Sequence, residues 1–259
     1  MIRLLSALIL SLFLVACSDD GVKSDPYADW SALEFYDEAT LALEAGEFEE
    51  AIKNLENLEA RFPFSTYARQ AQLDVAYAYY KFGEPESAIA AADRFIRINP
   101  RDPNVAYAWY LKGIIDFNRG SGFMDSLFPR DMAQHDSKSM GEALRSFSTL
   151  VERYPDSRYA NDAYQHMLFL RNKLAEAELH AARYYIKRKA WLAAAKRGQS
   201  VLETFPTTPA SRDALSIMIL AYQELGLNDL AADAQSVLDG NPVINQIVQS
   251  GSAQISMPN

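Results

Sequence analysis

Five alanine-rich amphipathic stretches of this chain each close on a proline that follows an aromatic residue or an asparagine. The pairs are Phe62-Pro63, Asn99-Pro100, Tyr154-Pro155, Phe205-Pro206 and Asn241-Pro242. Proline has no backbone N–H to give and crowds the turn before it, so a helix stops there. A helical chain punctuated in this way is an array of short units. No unit can bury its own apolar face, so stacked neighbours must supply the core. With 49% hydrophobic residues and only 11 glycines in 259, there is enough apolar surface for that core.

The blocks accept the tetratricopeptide (TPR) template of about 34 residues, two antiparallel helices per repeat. In the first block Gly46, Phe48, Ala51 and Pro63 take the turn-glycine, aromatic, small and proline positions. The second supplies Ala76, Tyr79, Gly83, Ala88, Phe95 and Pro100. The third has Trp109 and Gly113 in its first helix, then Ala143, Phe147, Leu150 and Pro155. The fourth has Ala182, Tyr185, Trp191, Ala194, Gly198 and Pro206, and the fifth Tyr222, Gly226 and Ala231, the weaker match expected of a terminal repeat. Small residues let paired helices approach and aromatics fill the space between pairs. The expected fold is all-α: a TPR solenoid over residues 31–240, of about five repeats and about ten helices.

Two stretches depart from the template. The third repeat carries an insertion between Gly113 and Ala143, around residues 119–138, whose Phe123, Met124, Leu127 and Phe128 could fold back as a lid or serve a partner. Residues 157–188 contain neither proline nor glycine, which predicts one unusually long helix or two with a break near Asn172. After Asn241 the tail 241–259 fits no repeat and is read as a disordered end or a partner-binding arm.

At the other end, residues 1–16 have the layout of a secretory signal. Arg3 is followed by an apolar run from Leu4 to Val15, shorter than the roughly 20 residues a membrane-spanning helix needs. Cys17 is the only cysteine, and Leu14-Val15-Ala16-Cys17 resembles the lipobox of bacterial lipoproteins. That resemblance implies cleavage before Cys17 and acylation of its thiol and amine. Several acyl chains anchor firmly where one would not. Ser18, in place of the aspartate of inner-membrane retention signals, implies the periplasmic face of the outer membrane. Residues 17–30, polar and short of apolar groups, are expected to be the tether. The net charge of −9 opposes binding to a phosphate backbone, so nucleic acid is not an expected partner.

The string ARFPFSTYARQAQLDVAYAYYKFGEPESAIAAADRFIRINPRDPNVAYAWYLKG, residues 60–113, closely resembles the BamD (ComL) family of TPR lipoproteins. The resemblance resumes at residues 150–157, 181–185, 190–191 and 209–215 and covers nearly all of residues 17–240. Its most specific piece is Pro63-Phe64-x-x-Tyr67. It implies a non-enzymatic scaffold of the outer-membrane β-barrel assembly (BAM) complex. Such a scaffold binds the POTRA region of a BamA-like barrel protein and accessory BAM lipoproteins, and helps receive unfolded outer-membrane protein segments. The alternative is another envelope TPR lipoprotein, such as a pilus-secretin pilotin.

A TPR solenoid is concave on its first helices, and the template's groove positions name Tyr36, Thr40 and Glu44, then Gln70, Leu73, Tyr77, Tyr80 and Lys81, then Tyr107, Tyr110, Phe117 and Asn118. Tyrosine joins a large apolar face to a hydroxyl at modest entropic cost, which suits capture of an extended peptide. The same stripe could instead pack between helices. In the late repeats Arg183, Lys187, Arg188, Lys189, Lys196 and Arg197 form a basic cluster in an acidic protein. It is either a solvated face or, as the family resemblance implies, the BamA contact, with Lys196 and Arg197 the expected residues. No enzymatic constellation stands out. The three histidines, His135, His166 and His180, have no metal-ligand spacing, and Gly120-Ser121-Gly122 lacks the lysine of a phosphate loop. No cofactor is implied.

Overall fold

The computed structural model describes residues 25–119 and 137–241. The signal segment, Cys17, most of the insertion and the tail from residue 242 lie outside the described residues. Those described form ten α-helices, stacked as five antiparallel pairs. The first pair is α1 (Ala32–Ala45) and α2 (Phe48–Arg61), the second α3 (Ala68–Phe82) and α4 (Pro85–Ile98). Then come α5 (Val105–Asn118) with α6 (Ser137–Arg153) and α7 (Ala160–Lys187) with α8 (Trp191–Thr204). The last pair is α9 (Ala210–Glu224) and α10 (Asn228–Gly240).

Helix ends follow the local chemistry. Ser31 and Glu34 cap α1 reciprocally: the Glu34 N–H donates to Ser31 Oγ at 3.3 Å and the Ser31 N–H to Glu34 Oε2 at 2.6 Å. Such a cap stabilises a helix start by about 1 kcal/mol. The second helix of each pair ends one or two residues before its proline, at Arg61, Ile98, Arg153, Thr204 and Gly240. Residues 157–188 contain a single uninterrupted helix of 28 residues, with Asn172 inside it, rather than two helices.

The core is built from the small and aromatic template positions. Phe35, Ala39, Ala51, Leu55, Leu58, Ala76 and Ala88 interlock the first two pairs. Ala143, Phe147, Leu150, Ala163, Leu170, Leu174, Val201 and Ala214 do so through the last three. Two close approaches depend on glycine. A Cβ on Gly113 would overlap the Phe147 ring across the α5–α6 contact. One on Gly198 would sit 2.7 Å from Met218 Cγ and 3.0 Å from the Ala214 carbonyl oxygen on α9.

The folded chain begins earlier than the polar composition of residues 17–30 implies. Tyr27 and Trp30 meet edge to face at 4.7 Å, and Trp30 packs on Phe35 at 5.0 Å. Arg61 of α2 pairs with Asp25 and donates to the Tyr27 carbonyl at 3.0 Å. Two aromatic rings in a polar stretch are enough to close the open end of the first repeat. Among the described residues no helix is long and apolar enough to cross a membrane.

Candidate functional site: a tyrosine-lined groove and a basic late-repeat surface

Three first helices, α1, α3 and α5, lie side by side, and their facing side chains line an open cavity of about 340 Å³. Helix α1 lends Tyr36, Thr40, Leu43 and Glu44, α3 lends Gln70, Asp74 and Tyr77, and α5 lends Tyr107. The four-residue spacings 36/40/44 and 70/74 put each set on one helix face. The Tyr36 hydroxyl donates to Asp74 Oδ2 at 3.2 Å and Gln70 Nε2 donates to Asp74 Oδ1 at 2.8 Å. Tyr36 also stacks on Tyr67, centroids 5.3 Å apart, and the Thr40 hydroxyl donates to the Tyr36 carbonyl at 2.9 Å. Beside Tyr67, Phe64 stands in solvent with 99% of its surface exposed.

Burial governs the electrostatics of this cavity. It lifts the Asp74 carboxyl above the ordinary carboxylate range, against the hydrogen bonds from Gln70 and Tyr36. It also pushes the Tyr36 hydroxyl, helped by the Asp74 charge, up to about 12. Tyr107 is raised further, again chiefly by burial. Both hydroxyls are therefore fixed proton donors at any physiological pH.

The structure brings Tyr36, Thr40, Glu44, Gln70, Tyr77 and Tyr107 around one cavity and places the remaining groove candidates elsewhere. The Tyr80 hydroxyl accepts from Asn118 Nδ2 at 2.7 Å, and Lys81 is exposed beside it. Tyr110 turns toward the next pair, stacking on Tyr159 at 5.0 Å and donating to Asp162 Oδ2 at 2.7 Å. Phe117 packs edge-on against His166 at 4.7 Å and on Phe169 at 5.8 Å. Leu73 is no groove residue: it is 1% exposed and packs with Phe95, Val105 and Ala108. Asp74, the one acid that α3 lends to the cavity, escaped the template reading. Its only signal in the sequence is an aspartate in an otherwise apolar run, four residues after Gln70 and three before Tyr77.

In the late repeats the basic residues sort into two kinds. Arg197 Nη1 donates to both carboxylate oxygens of Glu178, at 3.0 and 3.1 Å, across the α7–α8 contact. Those bonds raise its guanidinium value still further. Arg183 pairs with Asp213 at 2.5 Å, and Arg188 lies 5.5 Å over the Tyr184 ring. Lys187, Lys189 and Lys196 are exposed around the same α7–α8 turn. Cys17 and His135 lie outside the described residues, and among those described no three His, Cys, Asp or Glu side chains come together to hold a metal ion.

Helix pairs stacked face on face, with side chains of three first helices converging on one groove, define a helical-repeat protein of the TPR type. Within that class the chain belongs to the BamD family: the family model described as "YfiO: Outer membrane lipoprotein" matches residues 28–238. It is 43% identical to the outer membrane protein assembly factor BamD of Neisseria meningitidis serogroup A, over 92% of this chain and 91% of that one. It is 37% identical to the BamD of Vibrio cholerae, over 92% and 98%. Among solved structures it is similar to a MamA protein, at 14% identity and a TM-score of 0.35, covering 88% of this chain and 98% of that one. It is also similar to a putative kinesin light chain with TPR-like repeats, at 16% and 0.36, covering 83% and 95%. Likeness at such low identity and TM-score says nothing of function.

Proposed function

We infer that this chain is an outer-membrane protein assembly factor and works as a non-enzymatic scaffold. The observation that carries this is 43% identity to a BamD that spans more than nine-tenths of both chains. In this reading Cys17 is the acylated first residue of the mature protein and holds the repeats on the periplasmic face of the outer membrane. The groove of the first three repeats takes extended segments of unfolded barrel proteins. The α7–α8 surface docks a folded partner, the POTRA region of a BamA-like protein, and accessory lipoproteins complete the complex. The division of labour suits the two surfaces. Fixed tyrosine donors around a half-buried acid suit an extended chain, while exposed cations on a rigid helix pair suit an acidic folded face.

The test is affinity purification of the tagged, full-length protein from outer membranes solubilised in mild detergent. A POTRA-bearing barrel protein should co-purify at a stoichiometric level. Recovery of a secretin or pilus protein in its place would overturn the assembly role and favour the pilotin alternative. Arg197→Glu should cut barrel-protein recovery at least several-fold. Because Arg197 already pairs with Glu178, the swap variant Arg197→Glu/Glu178→Arg separates the two roles. If recovery stays low although the internal pair is rebuilt, Arg197 meets the partner directly. If the swap restores recovery, Arg197 only braces the helix pair.

A further inference from the structure

Among the described residues, no cation pairs with the Asp74 carboxylate. Its two bonds come from neutral donors, the Tyr36 hydroxyl and the Gln70 amide, and a carboxylate can accept about four. Among the described residues no lysine or arginine lines the cavity, whereas Glu44, Tyr36, Tyr77 and Tyr107 do. Aromatic walls around an acid are the surroundings in which a cation is held twice over. The carboxylate offers a charge-assisted hydrogen bond and the ring faces offer their negative quadrupole. At about 340 Å³ the space is at the small end for a ligand pocket, the size for one side chain rather than a folded surface.

We propose that this pocket takes the ammonium or guanidinium end of a lysine or arginine side chain from an extended polypeptide lying across α1, α3 and α5. The proposal rests on the reading of the groove as a peptide site and adds what that reading lacks, the residue type the captured segment must present. Burial already lifts the Asp74 carboxyl, so the charged form is held at a cost that an arriving cation offsets. Glu44, exposed at the mouth, draws the same sign of charge toward it. Leu43 and the tyrosine rings cover the methylene stem that a long basic side chain brings with it.

The experiment uses the full-length protein in detergent and labelled ten-residue peptides of alternating aromatic and polar residues ending in phenylalanine. A single lysine is stepped through the polar positions, each time against norleucine, with affinity read by fluorescence anisotropy. At one position lysine should bind about ten-fold more tightly than norleucine. Asp74→Asn, which keeps the shape and can still accept from Tyr36, should abolish that preference, so that within this variant the lysine and norleucine peptides bind alike. Tyr36→Phe removes a neutral donor from Asp74 and should enlarge the preference. Equal affinity of the lysine and norleucine peptides at every position, or a preference that survives Asp74→Asn, overturns the pocket while the groove stands. If no peptide binds at all, the groove reading falls. The pocket is then judged by n-butylammonium titration, followed through the Tyr36 and Tyr77 ring resonances. Shifts lost in Asp74→Asn support a cation site, and none overturns it.

Discussion

Lys189 has a φ of +54°, the left-handed conformation that Gly46, Gly83 and Gly226 adopt at the matching turns of the first, second and fifth pairs. In that region a Cβ crowds the neighbouring carbonyl, a cost of roughly 1–2 kcal/mol. Glycine avoids it but gives the unfolded chain more freedom, which returns roughly 0.4–1 kcal/mol of the gain. Lys189→Gly should therefore raise stability by up to about 1 kcal/mol in a chemical denaturation midpoint; a fall would mean that the lysine side chain makes a stabilising contact of its own. At this scale the sequence is legible only where spacing dictates the role. Positions 36, 40, 77 and 107 follow from helical periodicity and do share a cavity. Tyr110 and Phe117 obey the same periodicity but meet the longer α7, which is placed where the next repeat's residues reach them. Asp74 and Glu178 were not legible, because each acquires its meaning from a partner on another helix, Tyr36 in one case and Arg197 in the other.

Elements were legible wherever a breaker residue marks their ends. The five prolines predict the five helix stops to within a residue or two, since the clash that stops a helix is local. The length of α7 was ambiguous for the opposite reason. No breaker lies between residues 157 and 188, and whether a helix continues through Asn172 is decided by packing against α6, α8 and α9. The aromatic closure at residues 25–30 was not legible because it is sealed by Arg61, 36 residues from its partner Asp25. Packing between elements also separates three helical glycines that look alike in sequence. Gly113→Ala would drive a methyl into Phe147, which is fully buried and stacked on His166 at 5.0 Å, and should cost about 2 kcal/mol or more. Gly198→Ala meets a movable Met218 but also a backbone carbonyl on α9, so its cost should be smaller, about 1 kcal/mol. Gly141→Ala has nothing within 4 Å and should stabilise by up to about 1 kcal/mol through helix propensity. Thermal denaturation of the three variants checks the order, and a destabilised Gly141→Ala would contradict this account of α6.

For the whole molecule, stability in a stacked array is a sum of units and the contacts between neighbours, so the ends are the weakest places. Helix α10 buries only Ala231 and Ala234, and its Leu230 and Val237 lie in solvent. Its amides should exchange with deuterium well before those of α3 or α6, whose two sides are covered. Equal protection of α10 and α6 would show that the array unfolds as one unit. The first pair, closed by Tyr27 and Trp30, should lag behind α10 even though it is also terminal.

The uninterrupted helix α7 has a mechanical meaning. Twenty-eight residues at 1.5 Å each make a strut of about 40 Å. Near one end Asp162, His166 and Phe169 grip the Tyr110 and Phe117 side chains of a groove helix. Toward the other, Glu178 clamps Arg197 on the basic face. A solenoid ordinarily flexes at each junction between repeats, but here one stiff member crosses from the third pair to the fifth without a joint. A tilt imposed on α7 at the basic face would reach Tyr110 and Phe117, on the helix that also carries Tyr107, as a rigid displacement, making α7 the beam of a lever between the two surfaces.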